Sequence, residues 1–354
     1  MDKKTTIMKI TTALKTFAIT SFMGIALSSC TSSVRVQVLQ PADISLPDSI
    51  DRFAVANRSL PAEGQQLGNI VEGLFSGEGI GSDKRASGEA VVGVTNGLQE
   101  SPRFEVTQVP EQLYGTGTDQ MPAPLDWVEV ERLCSLSNAD ALIVLEVFDT
   151  DSKRRFDTKP KTRTVDGETV EYMEHTANLD MTATTGWRIY YPDDKLIVDN
   201  YTFDDGKTFT AKDDNLAGAK SKLPSKENAA KEAAYVAGQA YAMRISPMFV
   251  WVSRDYYKGG SADMKMATMR AKSNDWSGAA EIWKKLAESS SDPKVKKRAT
   301  YNMALAAEME GNLDLAIDWA KKARDLGMKK AIQRINVLEQ RKLDEQRAAD
   351  QMGG

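Results

Sequence analysis

The stretch Asn138-Ala-Asp-Ala-Leu-Ile-Val-Leu-Glu-Val-Phe148 decides the fold. From Ala141 to Phe148 only Glu146 is polar, and so unbroken an apolar run suits a central strand covered on both faces. The preceding Leu125 to Ser137 reads as a helix with Val128, Leu133 and Cys134 facing inward. Upstream, Arg52 to Asn57 is a short strand. Ser82 or Asp83 can cap a helix whose apolar positions are Ala90, Val91, Val94 and Leu98. Ser101-Pro102 stops that helix, and Phe104 to Val109 alternates as a strand until Pro110. Downstream, two strands flank a turn at Asp166-Gly167, and Glu171 to Met181 is one of them. Gly186 to Tyr191 and Lys195 to Phe203 form a hairpin over Pro192-Asp193-Asp194. There Trp187, Ile189 and Tyr191 alternate with Arg188 and Tyr190, the pattern of a sheet with one wet face. A helix over Lys226 to Arg244, with Ser225 as N-cap, repeats alanine at 229, 233 and 237, small enough for its axis to approach a sheet closely. Pro247 then starts a strand from Met248 to Ser253. Strands and helices in this order predict an α/β sandwich with a mixed sheet.

The whole chain has 354 residues, 41 % apolar and 27 % charged, with 46 Lys and Arg against 50 Asp and Glu. That composition excludes collagen-like, disordered and polytopic membrane classes. Its length calls for more than one core. One His and two Cys argue against a zinc cluster, a disulfide framework or a His-based triad. The first 29 residues carry Lys3, Lys4, Lys9 and Lys15 against Asp2 alone, followed by an apolar stretch from Phe17 to Leu27. Such a stretch is too short to span a bilayer and reads as a signal peptide. It ends in Leu27-Ser-Ser-Cys30, which resembles the lipobox of bacterial lipoproteins. The resemblance implies that Cys30 becomes the diacylated first residue of the mature chain, a membrane anchor made of acyl chains. An ordinary signal peptide with an incidental Cys is the alternative. Removing residues 1–29 leaves 42 basic and 49 acidic residues, a net charge of −7, which argues against nonspecific nucleic-acid binding. Thr31-Ser-Ser-Val-Arg35 has no Asp and no acidic run, which by resemblance to lipoprotein sorting rules places the protein in the cell envelope, at the outer membrane and facing the periplasm.

From Ala262 to Gly327 the apolar spacing becomes helical and repeats. Ala299 to Ala323 resembles a tetratricopeptide repeat: Ala304, Ala316 and Ala323 hold its small positions, Leu313 a large one and Gly311 the turn. A weaker copy precedes it, with Ala267 matching Ala304, Ala279 matching Ala316 and Trp283 falling at Ala320. A bare pair of helical hairpins is the alternative. Because so short a stack leaves an apolar face open, Ala331, Ile332, Ile335, Leu338 and Leu343 are expected to form a capping helix, fraying from Lys342. The expected organisation is therefore a signal peptide (1–29), a tether (30–47), an α/β domain (48–260), helical repeats with their cap (261–345) and a disordered tail (346–354).

Ser101-Pro-Arg-Phe-Glu-Val and the Asn138 strand, set before a hairpin, resemble the amino-terminal domain of periplasmic TolB and the periplasmic domain of the curli secretion lipoprotein. Glu72-Gly-Leu-Phe-Ser-Gly-Glu-Gly-Ile-Gly-Ser-Asp-Lys, Leu98-Gln-Glu-Ser-Pro-Arg-Phe and Val252-Ser-Arg-Asp-Tyr-Tyr resemble an uncharacterised lipoprotein family of the Bacteroidota, which implies architecture and location but no activity.

Residues that invite chemistry are few. Gly77-Glu-Gly-Ile-Gly lacks the flanking strand of a phosphate loop, and Glu78 repels phosphate, so it reads as a bend. Asp149, Asp151 and Asp157, Asp204-Asp205 and Asp213-Asp214 do not fit calcium-loop spacing and read as solvated carboxylates. His175 lies in a strand without catalytic partners, and Cys134 reads as a buried thiol. The surface expected to bind a partner is the repeat groove, with Arg298, Tyr301 and Asn302. No catalytic residue, metal or cofactor is expected. The reading is a non-enzymatic, membrane-anchored envelope module for protein interaction or assembly. The alternatives are a small-molecule or glycan receptor using Trp187 to Tyr191, and a hydrolase with an unrecognised carboxylate pair.

Overall fold

The computed structural model describes residues 31–61, 80–117 and 120–353. The expected signal peptide (1–29), Cys30 and the glycine-rich segment up to residue 79 lie outside the described residues.

The first unit is a five-stranded mixed sheet in the order β3-β2-β4-β5-β6. β2 (Arg52–Asn57) lies parallel to both β3 (Glu105–Gln108) and β4 (Ala141–Val165). β4, β5 (Glu168–Tyr191) and β6 (Leu196–Asp213) then run antiparallel in sequence order. One face carries α1 (Ile80–Glu100) and α4 (Lys226–Ile245), whose Ala90, Val94, Leu98, Ala233, Ala237 and Tyr241 join Phe53, Ile143, Leu145 and Trp187 in the main core. α1 begins before Ser82 and Asp83, so these lie within the helix and do not cap it. Ser225 does cap α4, accepting from the N–H of Asn228. The closest approach that the small residues of α4 permit is to α1 and not to the sheet. A Cβ on Gly238 would stand 2.1 Å from the Ala90 carbonyl oxygen, and one on Gly93 2.2 Å from that of Tyr235. The other face carries α2 (Trp127–Ser137), packed through Val130, Leu133 and Cys134 on Ala54, Leu142, Val144 and Tyr190. Val128, expected inward, points to solvent. A short helix, α3 (Leu216–Ser221), follows β6.

Both faces of the sheet are therefore covered at the β5–β6 hairpin, and the expected wet face is absent. Tyr190 packs edge-on against Trp127, and Arg188 donates to the Pro122 carbonyl at 2.7 Å. On the opposite face Trp187 stacks on Tyr241, with centroids 4.9 Å apart. Burial of Trp187, Tyr190 and Tyr191 removes the aromatic surface that a glycan site would need.

The second unit is all-helical: α5 (Ala262–Lys272), α6 (Trp276–Ser289), α7 (Pro293–Met309), α8 (Leu313–Asp325) and α9 (Lys330–Gln351), each packed on the next. Ser261, Asp275, Asp292 and Asn312 cap the first four. Ala267, Ala279, Trp283, Ala304, Ala316 and Ala323 are fully buried, and Gly311 adopts φ +76° at the turn before α8. In α9, Ala331, Ile335 and Leu338 close the stack, while Ile332 and Leu343 are exposed.

Three expectations about boundaries change. Residues 31–40, read as part of a tether, form β1 (Thr31–Gln40). It pairs antiparallel with β7 (Met248–Tyr257) from Thr31↔Tyr257 to Gln40↔Met248. Val34, Val36 and Val38 alternate inward, and that period of two gives the strand one face to bury. Second, this ribbon is separate from the five-stranded sheet and packs on the helical core, so the residues of β7 belong with the second unit. Third, α9 neither frays at Lys342 nor gives way to a disordered tail. It runs to Gln351, whose buried side chain accepts from the Ala42 N–H at 2.8 Å and donates to the Ala42 carbonyl at 3.1 Å. Arg347 adds bonds to the carbonyls of Ala42 and Asp43, and the N–H groups of Asp43 and Ile44 bond the Arg244 carbonyl at the end of α4. Residues 42–44 thus join the two units through their own backbone.

Candidate functional site

Two two-stranded features stand out from the cores, the β1–β7 ribbon and the outer half of the β4–β5 hairpin. The ribbon decides the fate of the expected groove residues. Asn302 is fully buried; its Oδ1 accepts from the N–H of Tyr257 at 2.8 Å, and its Nδ2 donates to the carbonyl of the same residue at 2.7 Å. The Tyr301 hydroxyl donates to Asp255 at 2.9 Å and receives a bond from Arg334. Arg298 donates to the Gly259 carbonyl at 2.9 Å and lies over the Tyr257 ring. All three expected partner-binding residues are brought together, but around the chain's own β7, which occupies their face of α7. Two helical hairpins leave an apolar side that needs cover, and here an internal strand supplies it.

A buried charge cluster reinforces the clamp. Glu308, with no exposed side-chain surface, accepts from Arg254 at 2.9 Å, Arg341 at 3.0 Å and Arg334 at 3.3 Å. Burial alone would push the Asp255 carboxyl up, but Lys330 at 2.8 Å, the Tyr301 hydroxyl and Arg334 together hold it below the ordinary carboxylate range. Sequence reading missed this cluster, because its members lie on β7, α7 and α9 and no local spacing joins them.

A second buried network sits at a bulge in β4. Glu146 receives bonds from Tyr190 at 2.6 Å, Arg58 at 3.1 Å and Arg188 at 3.4 Å, and both arginines also bind carbonyls of the segment before α2. Burial, then the neighbouring carboxylate, pushes the Tyr190 hydroxyl up to about 12. Every carboxylate oxygen of Glu146 has a cationic or hydroxyl donor, which suits a structural lock. Burial likewise pushes the Cys134 thiol up to about 12, leaving it un-ionised at neutral pH.

The β4–β5 hairpin is the opposite case. β4 pairs with β2 only over Ala141–Leu145, and β6 leaves β5 opposite His175. Beyond that rung, Thr158–Val165 and Glu168–His175 continue as a bare pair for roughly 25 Å, at about 3.3 Å per residue. Every residue from Asp151 to Glu171 is exposed. Phe156, Pro160 and Met173 share one face of this arm; Val165 and Val170 share the other. Its β4 strand carries Lys153, Arg154, Arg155, Lys159, Lys161 and Arg163; Glu168, Glu171 and Glu174 lie on the returning strand. Charged side chains and Pro160 on the open edge blunt unwanted strand pairing.

The carboxylates considered for chemistry are held locally. Asp204 accepts from Thr184, Asp205 from the Gly206 N–H, Asp213 pairs with Lys222, Asp214 with Arg163 and Asp157 with Lys159. Among the described residues, no three His, Cys, Asp or Glu side chains gather where they could hold a metal ion. His175 lies beside the Thr158 hydroxyl at 3.0 Å. No helix among the described residues is long and apolar enough to cross a membrane.

Residues 50–257 match the model of a domain of unknown function, DUF8603, and residues 265–350 match that of another domain of unknown function, DUF6340. No curated protein matches the chain.

Proposed function

The chain belongs to the DUF8603 family, and we propose that it is an envelope lipoprotein, anchored through Cys30, which engages protein partners without catalysis. The observation that carries this reading is the arm, an ordered strand pair beyond the Thr158↔His175 rung with Val165, Val170 and Met173 in solvent and the exposed Phe156 just before it. Apolar side chains held in water on a regular scaffold are characteristic of contact surfaces. The TolB-like and tetratricopeptide-like resemblances support a partner-binding body of the same kind, located at the outer membrane facing the periplasm. The lipobox-like Leu27-Ser-Ser-Cys30 supports the anchor.

Crosslinking mass spectrometry in the native envelope tests the proposal, using the full chain and a variant in which a short turn replaces residues 159–174. The expected result is a reproducible set of protein crosslinks mapping to Lys153, Lys159 and Lys161, with those to Lys153 lost in the shortened variant. No reproducible partner, or the same Lys153 crosslinks without the arm, overturns it.

A further inference from the structure

The β1–β7 ribbon buries one face, and its other face, covered by α7 and α9 at Asp255 and Tyr257, is bare from the Arg35↔Ser253 rung to Leu39↔Phe249. Val34, Val36, Val38, Val252 and Tyr256 turn toward the helices. The register places Leu39 opposite Phe249, Gln37 opposite Trp251 and Arg35 opposite Ser253 on the outward face. Trp251 is 63 % exposed and Phe249 51 %, although both belong to a strand fixed at its far end by Asn302. Leu39 is half-buried beside them, and Arg35 is exposed one rung beyond Gln37. The only acid on this face is Asp255, at its end, where Lys330 and Arg334 neutralise it.

We infer that this outward face, Trp251 with Phe249, Leu39 and Arg35, rests on a phospholipid bilayer and holds the folded body flat against it. The inference rests on the acylation of Cys30 proposed above, and the length of chain before the ribbon argues for the occupant. β1 starts at Thr31, the residue after Cys30, so a single 3.8 Å step separates the acylated residue from a strand hydrogen-bonded to Tyr257. No tether remains, and the Thr31 end of the ribbon cannot leave the membrane surface. Trp251 lies opposite Gln37, six residues or roughly 20 Å further along. A rigid ribbon pinned at one end by acyl chains meets the headgroup layer with whichever face is apolar. The chemistry of this face suits that layer: indole and phenyl rings settle at the boundary of hydrocarbon and headgroups, and a guanidinium beside them pairs with phosphate.

The six tryptophans make the test clean. Trp187 and Trp283 are fully buried, Trp276 and Trp319 nearly so, and Trp127 is half-buried, which leaves Trp251 as the exposed fluorophore. The full chain is purified from membranes and reconstituted in vesicles of phosphatidylethanolamine and phosphatidylglycerol with brominated acyl chains. The expected result is fluorescence quenching that is mostly lost in Trp251→Phe and weakened in Arg35→Glu. Equal quenching in the parent and Trp251→Phe overturns the inference. The mass of the tryptic peptide Cys30–Arg35 reads the anchor separately. An acylated peptide with no Trp251 quenching sinks the docking alone, and an unmodified peptide sinks the anchor and the docking together. A photoreactive phenylalanine analogue at position 249, used in the native envelope, should form adducts with phospholipid; adducts with one defined protein would overturn the membrane reading.

Discussion

The molecule contains two antiparallel ribbons built from similar backbone and used in opposite ways. The β1–β7 ribbon joins segments more than two hundred residues apart, buries one face on α7 and α9, and has its end rungs clamped by Asn302 and the charges around Glu308. The β4–β5 arm joins neighbouring segments through one turn at Asp166-Gly167, and past His175 its two strands pair only with each other. An isolated pair of strands is marginal in water unless a third layer supports it. The arm's order past that rung comes from cross-strand contacts such as Arg163 over the Tyr172 ring and from Arg163 reaching back to Asp214. The first ribbon is part of a core, whereas the second is a projection that the core can do without.

Mutations break this contrast in a definite order. Glu308→Ala leaves three guanidiniums facing one another with no buried carboxylate, and should destabilise the helical unit by about 3–5 kcal/mol in denaturant titrations, the largest effect expected. Asn302→Ala removes both partners of the Tyr257 backbone and should cost roughly 2–3 kcal/mol, read as lost hydrogen-exchange protection across β1 and β7. Acid should act more weakly. The Asp255 carboxyl is held below its ordinary range when folded, so its contribution is present above the unfolded value and is lost as pH falls through the folded one. Protection factors at the Tyr257 end of the ribbon, corrected for the intrinsic exchange rate, should therefore fall as pH drops below the usual carboxylate range, and Asp255→Asn should abolish that dependence. Replacing residues 159–174 of the arm with a short turn should change stability by less than about 1 kcal/mol, checked by thermal unfolding. A large loss there would show that the arm belongs to the core after all.

Legibility in the sequence followed burial. Ala141 to Phe148, the alanines of α4 and the paired small residues of the helical unit are packed on their neighbours, and each carries its period plainly. The arm shows no such period, because neither face is buried; its two strands are legible only from the turn at Asp166-Gly167, and nothing in Lys153-Arg-Arg-Phe-Asp-Thr-Lys-Pro-Lys161 marks how far the first one extends, although it is strand throughout. β1 carries a period of two in Val34-Arg-Val-Gln-Val38, but five residues directly after an apolar leader-like stretch are too few to tell a strand from a tether. Arg298, Tyr301 and Asn302 share a face of α7, but its occupant, β7, ends 45 residues upstream of Asn302 and is visible only in three dimensions. The dock of Gln351 on Ala42 spans 309 positions and left no local trace at all.

The rung Gln40↔Met248 has a topological consequence. The polypeptide departs from the helical module at one residue and returns at the residue bonded across from it, so the entire mixed-sheet body is an insert in what is otherwise a hairpin loop. Splicing Gln40 to Met248 through a tight turn should leave the module able to fold unaided, while foreign inserts whose ends lie as close together could be carried in the same socket.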